Sequence, residues 1–363
     1  MPPAPAAKPV RLSSLFDQPN GFDTIRLLAA SAVILSHGFV LTGAPEPLDH
    51  LTGGQATIGT LAVSAFFAIS GFLIPASYDR GGIARYAVKR ARRILPALVV
   101  AVLLCAMVLG PLATQLPVGA YFADPATWRF LGHALFLPVG YDLPGVFADH
   151  PLSAVNGSLW SLKYEVACYV LVPLALMLAP LRKAAVIAAW LASFAIARLV
   201  PPDAGGALYH LGQLAELFRF FGAGMLLYLY RAQIRLRPAL AWLCLGVAGV
   251  GALTPLFNEL AATLGAYALI AFAGLCGERF RQVTARGDIS YGVYVLAFPI
   301  QQLLVPATLG FAMGGIVLGW LANALLALPL AYAAGALSWF LVERPALGGS
   351  AARHGAGPLA RSG

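Results

Sequence analysis

The sequence predicts an all-α polytopic membrane protein, a transmembrane helical bundle of about ten spans. Three observations carry that reading. Of 363 residues, 60% are hydrophobic and only 11% charged, a balance foreign to soluble globular chains of this length. Apolar runs long enough to cross a bilayer recur from residue 22 to residue 342, broken by short segments holding Pro, Gly and charge. The basic residues, finally, gather on alternate loops.

Taken in order, spans are predicted at 22–42, 58–77, 94–113, 159–179, 184–200, 211–230, 238–254, 259–276, 289–308 and 315–342. The opening "MPPAPAAKPVRLSSLFDQPNG" is a Pro/Ala-rich tail with no short apolar core behind a charged region, so the first span is expected to stay in the mature protein. Residues 1–20 then form an N-terminal tail, 21–345 a membrane domain and 346–363 a C-terminal tail. The one long loop is 114–158; its "WRFLGHALFLPVG" is too short to span and is expected as an interfacial or re-entrant helix.

With both termini assigned to the cytoplasm, nineteen of the 24 Lys and Arg residues fall in cytoplasmic segments. The opposite loops hold only Arg129 and Arg198, beside Glu46, Asp49, Asp124, Asp142, Asp149, Asp203 and Glu259. That asymmetry follows the positive-inside rule, puts the 114–158 loop outside and favours an even number of spans. It also accounts for most of the formal charge of +9 without a nucleic-acid partner. Cys105, Cys168, Cys244 and Cys276 each stand alone in an apolar run and read as small packing residues rather than disulfides or metal ligands, so no metal site is expected.

Function is to be sought in the polar residues left inside spans: Arg26, His37, Lys163, Glu165, Glu216 and Arg219. A charge there costs a few kcal/mol, and such residues face a cavity or one another. In "IRLLAASAVILSHGFVL" eleven helix steps lead from Arg26 to His37, which puts both on one helix face about 16 Å apart in depth. The fourth span opens "NGSLWSLKYEVACYVLVPLAL" and runs the other way, so Glu165 is expected at a depth similar to His37. A carboxylate near an imidazole orients the ring and raises its basicity, as a general base requires; Glu165 could equally be a structural partner of Lys163 or a Tyr.

At the cytoplasmic start of the third span, "RYAVKRARRILPAL" places Arg90 and Arg93 three apart on one helix side, a spacing suited to the phosphates of a nucleotide-like donor. Topology or anionic-lipid anchoring also explains part of this cluster. "FFAISGFLIP" lacks a GxSxG around Ser70, so Ser70 and Gly71 read as small residues for close helix packing. "DISYGVYVLAFPIQQ" brings Ser290, Tyr291 and Tyr294 to the head of the ninth span, as an aromatic belt or as cavity lining. Glu343 in "VERP" reads as a helix-end partner for the basic loops.

The ordered set "FDTIRLLAASAVILSHG", "FFAISGFLI", "KRARRILP", "SLWSLKYEVACYVLVP", "ISYGVYV" and "VERP", spread over residues 20 to 346, resembles the acyltransferase 3 family of bacterial integral-membrane acyltransferases. The resemblance implies ten helices in the cell inner (cytoplasmic) membrane. It further implies acyl transfer, often of acetyl from acetyl-CoA, to hydroxyls of cell-surface or exported glycans. No bound cofactor is implied; acyl-CoA is a co-substrate, and the other partners are a glycan or lipid-linked saccharide acceptor and membrane lipids. The family's Arg and His separated by ten residues fall on Arg26 and His37, its basic pair on Arg90 and Arg93, and the Glu of its Trp-Ser-Leu motif on Glu165. His37 is then the catalytic base or a transient acyl acceptor, Glu165 its support, and Trp160, Tyr164, Tyr291 and Tyr294 candidate lining for acceptor or cavity. Many members carry His where this chain has Ala297, which concentrates the chemistry on His37. A transporter or flippase is the competing reading of charged residues in spans, but it predicts an inverted repeat that the sequence does not display.

Overall fold

A computed structural model describes residues 11–201, 203–275, 283–284, 287–313 and 316–348. Each of the ten predicted spans falls on a helix: α1 Phe22–Leu41, α2 Ile58–Asp79, α3 Gly82–Ala113, α4 Gly157–Met177, α5 Ala179–Leu199, α6 Gly206–Leu229, α7 Pro238–Gly251, α8 Phe257–Leu275, α9 Ser290–Thr308 and α10 Gly319–Leu347. Seven of these are long and apolar enough to cross a membrane, all but α6, α7 and α9. With 14 residues, α7 reaches only about 21 Å along its axis, short of a hydrocarbon core of about 30 Å. Helices α6 and α9 have the length, but His210, Gln213, Glu216 and Arg219 dilute the first, and Gln301 and Gln302 the second. Leu28, Leu103, Leu112, Leu199 and Leu253 stand exposed on or just beyond these helices; so many large bare side chains fit lipid and would be a liability in water.

Three details depart from the sequence reading. Helix α3 starts at Gly82, well before residue 94, because Lys, Arg and Ala propagate a helix and no Gly or Pro stands between Gly82 and residue 94. The basic cluster therefore lies on the same unbroken helix as the span, with Arg90 and Arg93 at the helix spacing expected of them. In the 114–158 segment the expected single helix is two short pieces, Pro125–Phe130 and Leu131–Leu135, the first capped by Asp124, whose Oδ1 accepts from the Ala126 N–H at 2.8 Å. Between α9 and α10 a small antiparallel ribbon pairs Ala312–Met313 with Ile316–Val317.

The chain divides into two compact units. One comprises residues up to 25, 64–80 and 168–283; the other comprises 26–63, 81–167 and 284 onward. In the first unit Phe16 stacks on Phe72 at 5.2 Å, and Phe22 and Tyr228 pack on the same rings. Gly71 and Gly224 let α2 and α6 touch backbone to backbone: a methyl on either would overlap the Phe221 or Ala68 carbonyl, the close approach the sequence reading assigns to "AISG". The in-span charges of this unit neutralise one another. Arg219, 2% exposed, pairs with Glu216 and lies 3.8 Å from Glu259, which also holds Arg198 at 2.7 Å. Cys105, Cys168 and Cys244 are free and buried, and Cys276 lies outside the described residues.

The second unit holds every predicted site residue. Its helices meet closely at Gly38, where a Cβ would stand 2.5 Å from the Trp320 carbonyl oxygen of α10. Pro299 within α9 has no N–H for the Val295 carbonyl one turn back. Asn156, 0% exposed, donates its Nδ2–H to that carbonyl at 2.9 Å, tying the segment before α4 onto α9.

Candidate active site

Helix α1 runs unbroken through both Arg26 and His37, so the two stand about 16 Å apart along its axis and are not brought together. Each gathers its own surroundings, and α9 supplies both. Along α9 the residues Tyr291, Tyr294, Phe298, Gln301 and Val305 recur at spacings of three and four, a single stripe.

At the Arg26 end the site is ionic. Asp288, just before α9, accepts from the Ser290 N–H at 3.1 Å and from its hydroxyl at 2.5 Å, while its Oδ2 holds an Arg93 NH2 and lies 3.7 Å from Arg26. Arg93 reaches Glu343 on α10 through its other terminal nitrogen at 3.4 Å, and the Ser338 hydroxyl donates to Glu343 at 2.9 Å. Tyr291 and Trp339 stand with ring centres 5.9 Å from the Arg93 guanidinium. Burial alone would raise the Asp288 carboxyl; Arg93, Arg26 and the Ser290 donors outweigh it and hold it below the usual carboxylate range. Arg90, one turn before Arg93, is half-buried, and Lys89 and Arg92 are exposed. Glu343 is a partner for a basic residue, as its place at a helix end suggested.

At the His37 end the groups packed against the ring are neutral. The Phe298 ring meets the imidazole edge-on at 4.8 Å, and Phe298 also closes over Gly157 at the start of α4. Beside His37 the Gln301 amide donates to the Ile34 carbonyl at 2.8 Å and to Asn323 Oδ1 at 3.0 Å. Ser36, the neighbour of His37, donates to Glu46 at 3.0 Å. Ala297, which the family resemblance sets at a His position, is buried.

Glu165 lies in the first turn of the regular helix Leu162–Met177, half-buried, and acts electrostatically on Tyr294. Tyr291 and Tyr294 are buried rather than arrayed as a belt: their hydroxyls meet the Ile94 carbonyl at 3.0 Å and the Ser161 hydroxyl at 2.7 Å. Trp160 is half-buried with its ring 6.0 Å from that of buried Tyr164, on which the Lys163 ammonium rests at 5.2 Å. Beyond Gln301, Gln302 binds the Leu152 and Ala154 carbonyls at 2.7 and 2.6 Å and pairs with His150 at 2.9 Å. A cavity of about 210 Å³ opens there, lined in part by Gln115, Phe147, Asp149, His150 and Gln302.

Sequence reasoning missed Asp288, Gln301 and Asn323 as members of this arrangement. The signals were present: an acid directly before a span that starts opposite two arginines, and carboxamides inside apolar runs, where each costs free energy unless it is bonded.

A family model described as "Acyltransferase domain" matches residues 20–342. An "O-acetyl transferase" of Shigella phage Sf6 is 31% identical over 346 residues, covering 90% of this chain and 95% of its own. "Nodulation protein 10" of Rhizobium leguminosarum bv. viciae is 29% identical over 364 residues, covering 90% and 93%. No solved structure matches the chain. These likenesses select an enzyme over a transporter: the chain belongs to the acyltransferase 3 family, as a multi-pass membrane O-acetyltransferase.

Proposed function

We propose that the protein transfers an acetyl group from acetyl-CoA to a hydroxyl of a cell-surface or exported glycan, with His37 as general base. The observation that carries this is one continuous helix with Arg26, which shares Asp288 with Arg93 of α3, toward one end and a partly exposed imidazole toward the other. All ten helices cross the inner membrane in this reading, with both termini in the cytoplasm and the 114–158 loop outside; the distribution of Lys and Arg supports it. Acetyl-CoA then approaches from the Arg26 end and the acceptor from the His37 end.

The acceptor hydroxyl attacks the thioester carbonyl while His37 takes its proton, so a C–O bond forms without a free alkoxide. The tetrahedral intermediate expels the CoA thiolate, which recovers the proton from the imidazolium. Glu165 supports this end, with Trp160, Tyr164 and Tyr294 as the aromatic lining, while Tyr291 lines the other end beside Arg93. Arg26, Arg90 and Arg93 hold the donor's phosphates, which must compete with Asp288 and Glu343 for Arg93. The cavity beside Gln302, with an aromatic ring, a carboxylate and amides around it, offers chemistry suited to a sugar.

The test is mass spectrometry of surface and secreted glycans from a deletion strain. Loss of acetyl esters, restored by the wild-type gene, is expected; an unchanged glycan would overturn the glycan acceptor. Cysteine labelling should find residue 135 accessible from outside, and cytoplasmic labelling there would overturn the topology.

A further inference from the structure

Gln301 and Asn323 are both 0% exposed, two carboxamides where apolar side chains would bury without a penalty. They lock one another. Gln301 gives its two amide hydrogens to Ile34 and Asn323, while Asn323 donates back to the Gln301 carbonyl at 3.1 Å and to the Thr308 hydroxyl at 3.2 Å. Turning the Gln301 amide over would set its oxygen against two acceptors, so the direction of Oε1 is fixed. That oxygen is buried and has no hydrogen-bond partner among the described residues.

The amide reaches α1 at Ile34, one turn from His37 on the same side, and lies beside the imidazole, close enough to interact. His37 Nδ1 is likewise buried without a partner among the described residues. Yet the residue keeps partial exposure, which leaves the Nε2 edge as the part of the ring a substrate can reach. A fixed acceptor and a sealed ring nitrogen side by side are both satisfied by one arrangement: a proton on Nδ1, donated to Gln301 Oε1 after a small movement. An unprotonated Nδ1 would leave two buried lone pairs facing each other.

We propose that Gln301, held in place by Asn323, is the positioning residue that fixes His37 as its Nδ1–H tautomer and so presents the Nε2 lone pair to the acceptor hydroxyl. This rests on His37 acting as the base. In the step above, the hydroxyl proton moves to Nε2, and the resulting imidazolium keeps its Nδ1–H on Gln301 until the thiolate recovers the other proton.

The test measures transfer of radiolabelled acetyl from acetyl-CoA into the glycan fraction of membranes from the deletion strain, complemented with each variant. Gln301→Met should lower the maximal rate by about 10- to 100-fold, with KM for acetyl-CoA and protein level unchanged. Gln301→Glu keeps an oxygen for Nδ1–H but sets its other oxygen against the Ile34 and Asn323 acceptors, so it should recover only part of the rate. Its pH profile should rise at higher pH than wild type, because a carboxylate beside the imidazole raises its basicity; Glu46, Glu165 and Tyr294 on the neighbouring elements are unchanged in this variant. Gln301→Met should add nothing to the loss caused by His37→Gln. A wild-type rate for Gln301→Met would overturn the proposal. So would an unshifted pH profile in Gln301→Glu, which remains decisive even where Gln301→Met fails to fold. A fully active His37→Gln would instead remove the general-base reading, a result separate from failure of the Gln301 variants alone.

Discussion

At the Arg26 end of α1, Arg93 lies between Asp288 and Glu343, and Arg26 approaches Asp288; at the His37 end an imidazole and two carboxamides meet with two buried atoms unmatched. Both ends take polar groups out of water, but the first pairs its carboxylates with arginines and leaves the Trp339 Nε1–H open at its margin, whereas the second leaves an acceptor and a ring nitrogen open at its centre. Matching makes a structural clamp, since removing one partner strands the others. Open valence in a buried neutral site marks a place where a proton or a substrate is meant to complete the set. The prediction that tests this division most severely is His37→Gln. The variant should lose about 10²- to 10⁴-fold in acetyl transfer, with normal protein level and acetyl-CoA binding. Near-wild-type product from this variant would make the His37 end structural as well.

Arg93→Ala should have the next largest effect, and on stability first. It leaves Asp288 and Glu343 facing each other in a buried site, a change that typically costs about 3–5 kcal/mol. Thermal unfolding in detergent should show the loss, and adding Asp288→Asn with Glu343→Gln should recover most of it. Donor affinity separates the two roles of the arginine: if Arg93 also holds phosphate, the recovered triple variant still binds acetyl-CoA poorly. If it binds normally, the cluster is a clamp only. The sign of the pH dependence follows from Asp288, whose carboxyl is held below its ordinary range. Its contribution is complete above the unfolded carboxylate pKa of about 3.9 and is lost only as pH falls through the lower folded value, so the Asp288 part of the clamp does not change near neutrality.

The helices were legible from apolar runs and charge placement, because membrane burial leaves a strong signal along the chain. Arg26, His37 and Glu165 stood out as charged or titratable residues in spans, and Arg90 and Arg93 as a basic pair just before one. What the sequence hid was pairing. That Arg93 meets Asp288 depends on α3 and α9 coming together over a separation of 195 residues, which no local pattern records. Gln301 was hidden for another reason: a Gln in "FPIQQLLVP" reads as a mild interruption of an apolar run, and only the bonds to Ile34 and Asn323 reveal a fixed acceptor. The third span was drawn from residue 94 because the apolar run starts there, whereas the helix itself begins at Gly82, since basic residues favour helix.

Gly38→Ala probes the framework shared by both ends. The added methyl meets the Trp320 carbonyl of α10, and forcing it in should cost about 1–3 kcal/mol. Because Gly38 adjoins His37, the shift of α1 against α10 should lower the maximal rate more than donor affinity. Equal losses in both would mean that the two ends respond as one body and that the comparison drawn between them is too sharp.

The smallest effect is expected at Arg92, and it sharpens the contrast by position alone. Arg92 and Arg93 are adjacent in one basic run and equal in charge, yet a helix turns them about 100° apart, so Arg93 enters the clamp while Arg92 stands exposed. An exposed cation acts on a donor through screened, long-range attraction. Arg92→Gln should therefore leave the melting temperature unchanged and weaken acetyl-CoA binding by about twofold or less, with even that difference fading as salt is raised. Arg93→Lys, which keeps the charge but gives up the forked contact to Asp288 and Glu343, should lose more than Arg92→Gln in both measurements. Should Arg92→Gln weaken the donor as strongly as Arg93→Lys, the basic run would be holding acetyl-CoA as a diffuse field, and the geometry around Arg93 would have no special part in donor binding.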